Sequence, residues 1–197
     1  MGKSKVVTAV FRALQLILSI TVLALTLTFL KGQVYGDPPT TTKFTIFVAA
    51  FTIIVAVANL LGAIWWTWLE DIVPTIALMA LDGIAALLFI AAGIAWSIGL
   101  KDTHGCSLGD DDGRGLYFTG LINGGLIDVG GSEPLAGYLR EEDLKSPDLA
   151  FSRLQGLCHK AVANQSLMFV VGVALCGSLI GLRFWSYKRG GQKTTYV

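Results

Sequence analysis

Four polar residues stand inside otherwise apolar stretches of this chain: Arg12, Gln15, Asn59 and Asp82. A guanidinium, a carboxylate and two amides could hold an ion, relay a proton, or make a buried ion pair with amide support. Such groups are costly in hydrocarbon and face a partner helix or a cavity. Arg12 and Gln15 are three residues apart, so they share a helix face. Counted from span starts near Val6 and Pro74, Arg12 and Asp82 lie roughly 9 and 12 Å deep. Asn59 lies about ten residues in from the same end of the second stretch. All four can therefore meet in one half of a bundle. The ion pair that fixes helix order is preferred. A transporter would show several acids, or helices broken at the midplane. Here the apolar stretches hold one acid, and no proline except at the start of the third.

The three cysteines make a second constellation. Cys106 and Cys158 bracket the longest polar segment, and a disulfide between them is expected in an oxidising compartment. Cys176 sits within an apolar stretch and reads as a small packing residue. His104 and His159 neighbour the two bracketing cysteines, but a disulfide competes for the sulfurs a metal would need, so no metal is expected. Asp110-Asp111-Asp112-Gly113 lacks the spacing and distal glutamate of a calcium loop and reads as a solvated acidic turn. Asn164-Gln165-Ser166 is a glycosylation sequon by pattern, but it falls inside an apolar stretch. No phosphate loop, metal-ligand spacing or nucleophile elbow is present, and no catalytic residue or cofactor is expected.

These groups must be positioned by membrane helices. Hydrophobic residues make up 53% of the 197 residues and charged ones 15%, against about 25% charged in a soluble domain. Too few charges remain to coat a water-facing surface, and no basic face suits a nucleic acid. Four stretches are long enough to span a bilayer: residues 6–30, 44–69, 74–100 and 158–185. The first is far longer than a signal-peptide core. Backbone groups in lipid must be satisfied within a segment, so the spans are helices. Basic residues at the amino end (Lys3, Lys5, Arg12) and at the carboxyl end (Arg183, Lys188, Arg189, Lys193) put both termini in the cytoplasm. Trp65, Trp66, Trp68, Trp185 and Tyr187 would form the inner aromatic belt, and Tyr35, Phe44 and Trp96 the outer one.

The outward loop, residues 101–157, carries five basic and ten acidic residues, a formal −5. Its length exceeds that of a simple connector. Asn123-Gly124 between the apolar runs 116–122 and 125–129 predicts a β-hairpin. Residues 134–144 suit a short helix, and Ser146-Pro147-Asp148 the start of a helix feeding the fourth span. Gly177 and Gly181 on the fourth span, with Gly93 and Ser97 on the third, are small-x-x-x-small pairs for close helix packing. The opening Met1-Gly2-Lys3-Ser4-Lys5 lacks the hydroxyl residue of a myristoylation start. The closing Thr195-Tyr196-Val197 reads as a frayed tail.

The fold class expected is all-α: a four-helix transmembrane bundle, residues 1–188, with a disulfide-bracketed outer loop and a short tail, 189–197. Four spans, cytoplasmic ends, a short inner loop, Arg12-Ala13-Leu14-Gln15-Leu16, Asn59, Asp82, Cys106 and Cys158 together resemble a MARVEL domain of the fungal, eisosome or non-classical-export type. Claudins are also four-span, but their cysteine pair lies in the first outer loop, which has none here. The resemblance implies a non-enzymatic organiser of plasma-membrane or vesicle domains. Its partners would be membrane lipids, sterol or sphingolipid among them, and other membrane proteins, as a homo-oligomer or a subunit of a larger complex. The alternatives are a small transporter, channel or accessory subunit, and an adhesion module built on the outer loop.

Overall fold

The computed structural model describes residues 3–64, 75–106, 119–124, 126–127, 135–140 and 146–190. Four long helices dominate: α1 (Lys3–Gly32), α2 (Thr40–Ile64), α3 (Thr75–Leu100) and α5 (Pro147–Gly190). Each contains an apolar stretch long and apolar enough to cross a membrane: Ala9–Gly32, Thr40–Leu61, Met79–Leu100 and Asp148–Gly181. The chain is a multi-pass membrane protein. Its helices form a closed ring in chain order: α1 packs on α2, α2 on α3, α3 on α5, and α5 returns to α1.

The buried positions explain the packing. On α1 they are Arg12, Gln15, Ser19, Val22, Thr26 and Phe29, alternately three and four residues apart. On α5, Leu154, Cys158, Ala161, Asn164, Met168, Val171 and Leu175 follow nearly the same rhythm. A repeat near 3.5 residues is the signature of left-handed, knobs-into-holes packing. The outward positions carry Val10, Phe47, Ile54, Leu87, Ile98, Val173 and Ile180, all well exposed. Lipid is as apolar as leucine, so contact between apolar side chains alone does not drive these helices together. Close packing and interhelical hydrogen bonds do. On α3 the Gly93 Cα faces the Phe169 ring, and a Cβ there would sit 3.1 Å from it.

The segment between the third and fourth spans departs from expectation. The expected hairpin is not supported. Gly120–Asn123 is a helical turn, α4, closed by Gly124 in the left-handed conformation at φ 73°. The glycine that would shape a hairpin turn instead caps a helix, for which left-handed φ is equally suited. Leu126–Ile127 (β1) pairs antiparallel with the later Leu135–Ala136 (β2). The helix expected over 134–144 is replaced, where the segment is described, by this strand, a turn at Gly137 and Tyr138, and irregular chain at Leu139 and Arg140. Leu121 and Ile122 of α4 are buried, and Leu121 packs on Gly99 of α3. The acidic run 110–112, the apolar run 116–118, Trp65, Trp66, Trp68 and the tail 195–197 lie outside the described residues.

The last helix begins where Ser146-Pro147-Asp148 suggested. Proline is tolerated at a first helical position because its missing N–H has no intrahelical partner there. The Ser146 carbonyl accepts from the backbone N–H groups of Leu149 and Ala150. The helix is 44 residues long, about 66 Å at 1.5 Å per residue. It therefore starts well before the expected span start at Cys158 and exceeds any bilayer core.

Candidate functional site

The structure brings Arg12, Gln15, Asn59 and Asp82 together from three helices. Arg12 Nη2 makes an ion pair with Asp82 Oδ2, and Arg12 Nη1 donates to Gln15 Oε1 at 3.0 Å. Asn59 Nδ2 donates to Asp82 Oδ1 at 3.2 Å. Arg12 is 5% exposed and Asp82 fully buried. Both carboxylate oxygens are thus engaged, one by α1 and one by α2. This is the only ion pair among the described residues.

A second polar tier crosses the other half of the bundle. Trp96 Nε1 donates to Thr45 Oγ1 at 2.8 Å, joining α3 to α2. Asn164 Nδ2 donates to Thr26 Oγ1 at 3.0 Å, joining α5 to α1. Gln165 Nε2 donates to Ser97 Oγ at 2.7 Å, joining α5 to α3. Each such bond contributes on the order of 0.6 kcal/mol in a membrane bundle. Trp96 therefore does not belong to an aromatic belt: it is fully buried, edge-on to Phe29 with ring centroids 5.4 Å apart. An indole so deep needs a hydrogen-bond partner, and the hydroxyl of Thr45 supplies it. The sequon asparagine is likewise fully buried.

Cys106 and Cys158 form a disulfide, with Cα atoms 5.7 Å apart. It joins the 3-10 turn Lys101–Cys106 to the twelfth residue of α5. Gln155 Nε2 donates to the Cys106 carbonyl at 3.2 Å. Cys176 is free and half-buried. His159 is exposed on α5. Of the small-residue pairs, Gly93 and Ser97 lie on packed surface. Gly177 and Gly181 are exposed, with no described atom beyond their own stretch of helix within 4 Å of where a Cβ would be.

Above the disulfide end, residues with no conspicuous sequence signal tie the two loops into one cap. Gln33 Nε2 donates to the carbonyls of Tyr35 at 2.8 Å and Gly124 at 2.7 Å. The backbone N–H groups of Val34 and Tyr35 both donate to the Gly137 carbonyl. At Gly137 a Cβ would lie 2.6 Å from Gln33 Nε2 and 2.7 Å from the Tyr35 carbonyl, so no side chain fits. Tyr138 closes the cap over Phe29, its ring centroid 6.2 Å away. The pairing of a loop amide with a backbone carbonyl 91 residues distant is invisible to pattern reading.

Burial holds the Tyr138 phenol neutral and pushes its pKa from 10.0 up to about 12. The folded pKa is raised, so this group's contribution to stability is complete below the unfolded value near 10. It is lost as pH rises from there through about 12. Absorbance titration of the phenolates is expected to show one tyrosine ionising last, coupled to unfolding. That late step should vanish in Tyr138→Phe, whose fold should survive because the hydroxyl has no partner to lose.

The MARVEL family model, a membrane-associating domain, matches residues 5–181. The matched region runs through all four long helices and both polar tiers. No curated protein and no solved structure matches the chain.

Proposed function

Because this chain belongs to the MARVEL membrane-associating family, we propose that it is a non-enzymatic organiser of its membrane. In this reading it gathers lipids and other membrane proteins into domains, as an oligomer or as a subunit of a larger assembly. The observation that carries it is how the polar groups are used. Asp82 is already bonded to Arg12 and Asn59, and the other polar tier joins helix to helix. What the bundle offers outward is a broad apolar face with the open backbone of Gly177 and Gly181. Small residues of this kind let a second helix approach closely.

In the same reading the disulfide end faces the cell exterior or a lumen, where thiols are oxidised. An even number of spans then leaves both termini in the cytoplasm, at the plasma membrane or in vesicles derived from it. An eisosome-type plasma-membrane compartment is the finer proposal, on the resemblance to fungal members. The test is gentle isolation from native membranes in polymer-bounded discs, followed by identification of the lipids and proteins retained. An organiser retains a restricted set of proteins and a lipid composition distinct from the bulk membrane. Single copies surrounded by bulk lipid would defeat the proposal.

A further inference from the structure

Each long helix carries one exposed lysine at the disulfide end: Lys31 on α1, Lys43 on α2, Lys101 immediately after α3, and Lys160 on α5. The contacts between helices put the four at one level. Phe29 meets Trp96, and Trp96 bonds Thr45. Lys31 stands two residues beyond Phe29, and Lys43 two residues beyond Thr45. Gln165 bonds Ser97. Lys101 stands four residues beyond Ser97, and Lys160 five beyond Gln165, on the same side of that contact. All four fall within about two helical turns.

An exposed apolar residue stands just inside this level on every helix, at Leu30, Phe47, Ile98 and Val162, although on α5 the exposed Leu149 also lies beyond it. Among the described residues the four ammonium groups have no carboxylate partner, the ion pair there being Arg12–Asp82. Nineteen residues separate Lys31 from Arg12 on α1, and nineteen separate Lys101 from Asp82 on α3. At 1.5 Å per residue both intervals are about 29 Å, the thickness of a hydrocarbon core. The lysine level and the ion-pair tier thus lie about one hydrocarbon thickness apart, with the exposed apolar Val10 and Phe11 continuing beyond Arg12.

We propose that Lys31, Lys43, Lys101 and Lys160 form a ring that binds the phosphate layer of anionic phospholipids at the disulfide end of the bundle. Lysine suits this role: a flexible stem lies along the apolar surface while the ammonium reaches the head groups. The ring encircles the protein, so it recruits a shell of anionic lipid rather than a single molecule. The inference rests on the chain's spanning a bilayer, not on its organising role, so either can fail alone.

The test uses the full chain reconstituted in phosphatidylcholine mixed with phosphatidylglycerol. Lipids retained after extraction are read by native mass spectrometry. The wild type is expected to retain phosphatidylglycerol preferentially, less so at high salt. Each lysine changed to glutamine should weaken that preference by about fivefold. Replacing all four by arginine should preserve it. If the fourfold glutamine variant fails to fold, Lys101→Gln and Lys160→Gln are read singly. Equal retention of the two lipids by the wild type overturns the proposal. So does undiminished preference in the folded glutamine variants.

Discussion

Asp82→Ala is expected to lower the stability of the reconstituted protein by about 3–5 kcal/mol, the cost of leaving a buried guanidinium unpaired. Arg12 is 5% exposed, and its remaining side-chain bond is to the neutral amide of Gln15. Asn59 would lose its acceptor as well. Replacing both charges with apolar residues, Arg12→Met with Asp82→Leu, should restore much or all of the loss. A buried pair exchanged for well-packed hydrophobes is often neutral or stabilising. Thermal or denaturant unfolding of the three proteins measures the difference. If Asp82→Ala unfolds like the wild type, the pair does not hold the helices together. Asp82→Asn keeps an acceptor for Asn59 and should lose less. In liposomes it should leave solute flux unchanged, whereas a transporter built on this acid would lose flux.

The second large effect is expected at the other end. Cys106→Ser with Cys158→Ser removes a cross-link between residues 52 apart. By loop-closure entropy, this corresponds to about 4 kcal/mol. The loss should be local in character. Amide hydrogen exchange should rise over Lys101–Cys106, over Gly120–Asn123 and over the first turns of α5, all gathered around the cross-link. Exchange around Arg12 and Asp82 should stay as it is. Uniform acceleration through the whole bundle, or none anywhere, would contradict this division. Both cysteines are fully or almost fully buried, so a mild reductant applied to the intact protein should act slowly.

What could be read from the sequence follows from contrast. Arg12, Gln15, Asn59 and Asp82 stood out because a polar side chain in an apolar run is costly unless paired, and the pairing partners were few. Cys106 and Cys158 stood out because they flank the one long polar segment. The second tier had no such contrast. Thr26, Thr45 and Ser97 are ordinary in membrane helices, since a hydroxyl can bond its own helix backbone, as Thr26 does to Val22 and Thr45 to Thr41. Their second role, as acceptors from Asn164, Trp96 and Gln165, depends on the three-dimensional ring. Trp96 suits an interface by sequence because tryptophan near a span end usually sits there. A buried threonine hydroxyl on the neighbouring helix changed the balance. Asn123-Gly124 is ambiguous for a related reason. A left-handed glycine serves a hairpin turn and a helix cap equally, and only the burial of Leu121 and Ile122 against α3 decides between them.

The 44-residue helix α5 has a mechanical consequence. It is longer than the bilayer and crosses it as one unbroken rod. A free rod of that kind could slide along its axis like a piston, one turn of about 5.4 Å at a time. Here its twelfth residue is bolted to the turn that follows α3, and Phe169 is seated against Gly93 of α3 further along. Axial travel is blocked at two heights. When the bilayer thins or thickens, α3 and α5 must lean together, since tilt is the motion left to a helix that cannot shift its register. A change in membrane thickness would therefore reach the disulfide end of the protein as a change of angle.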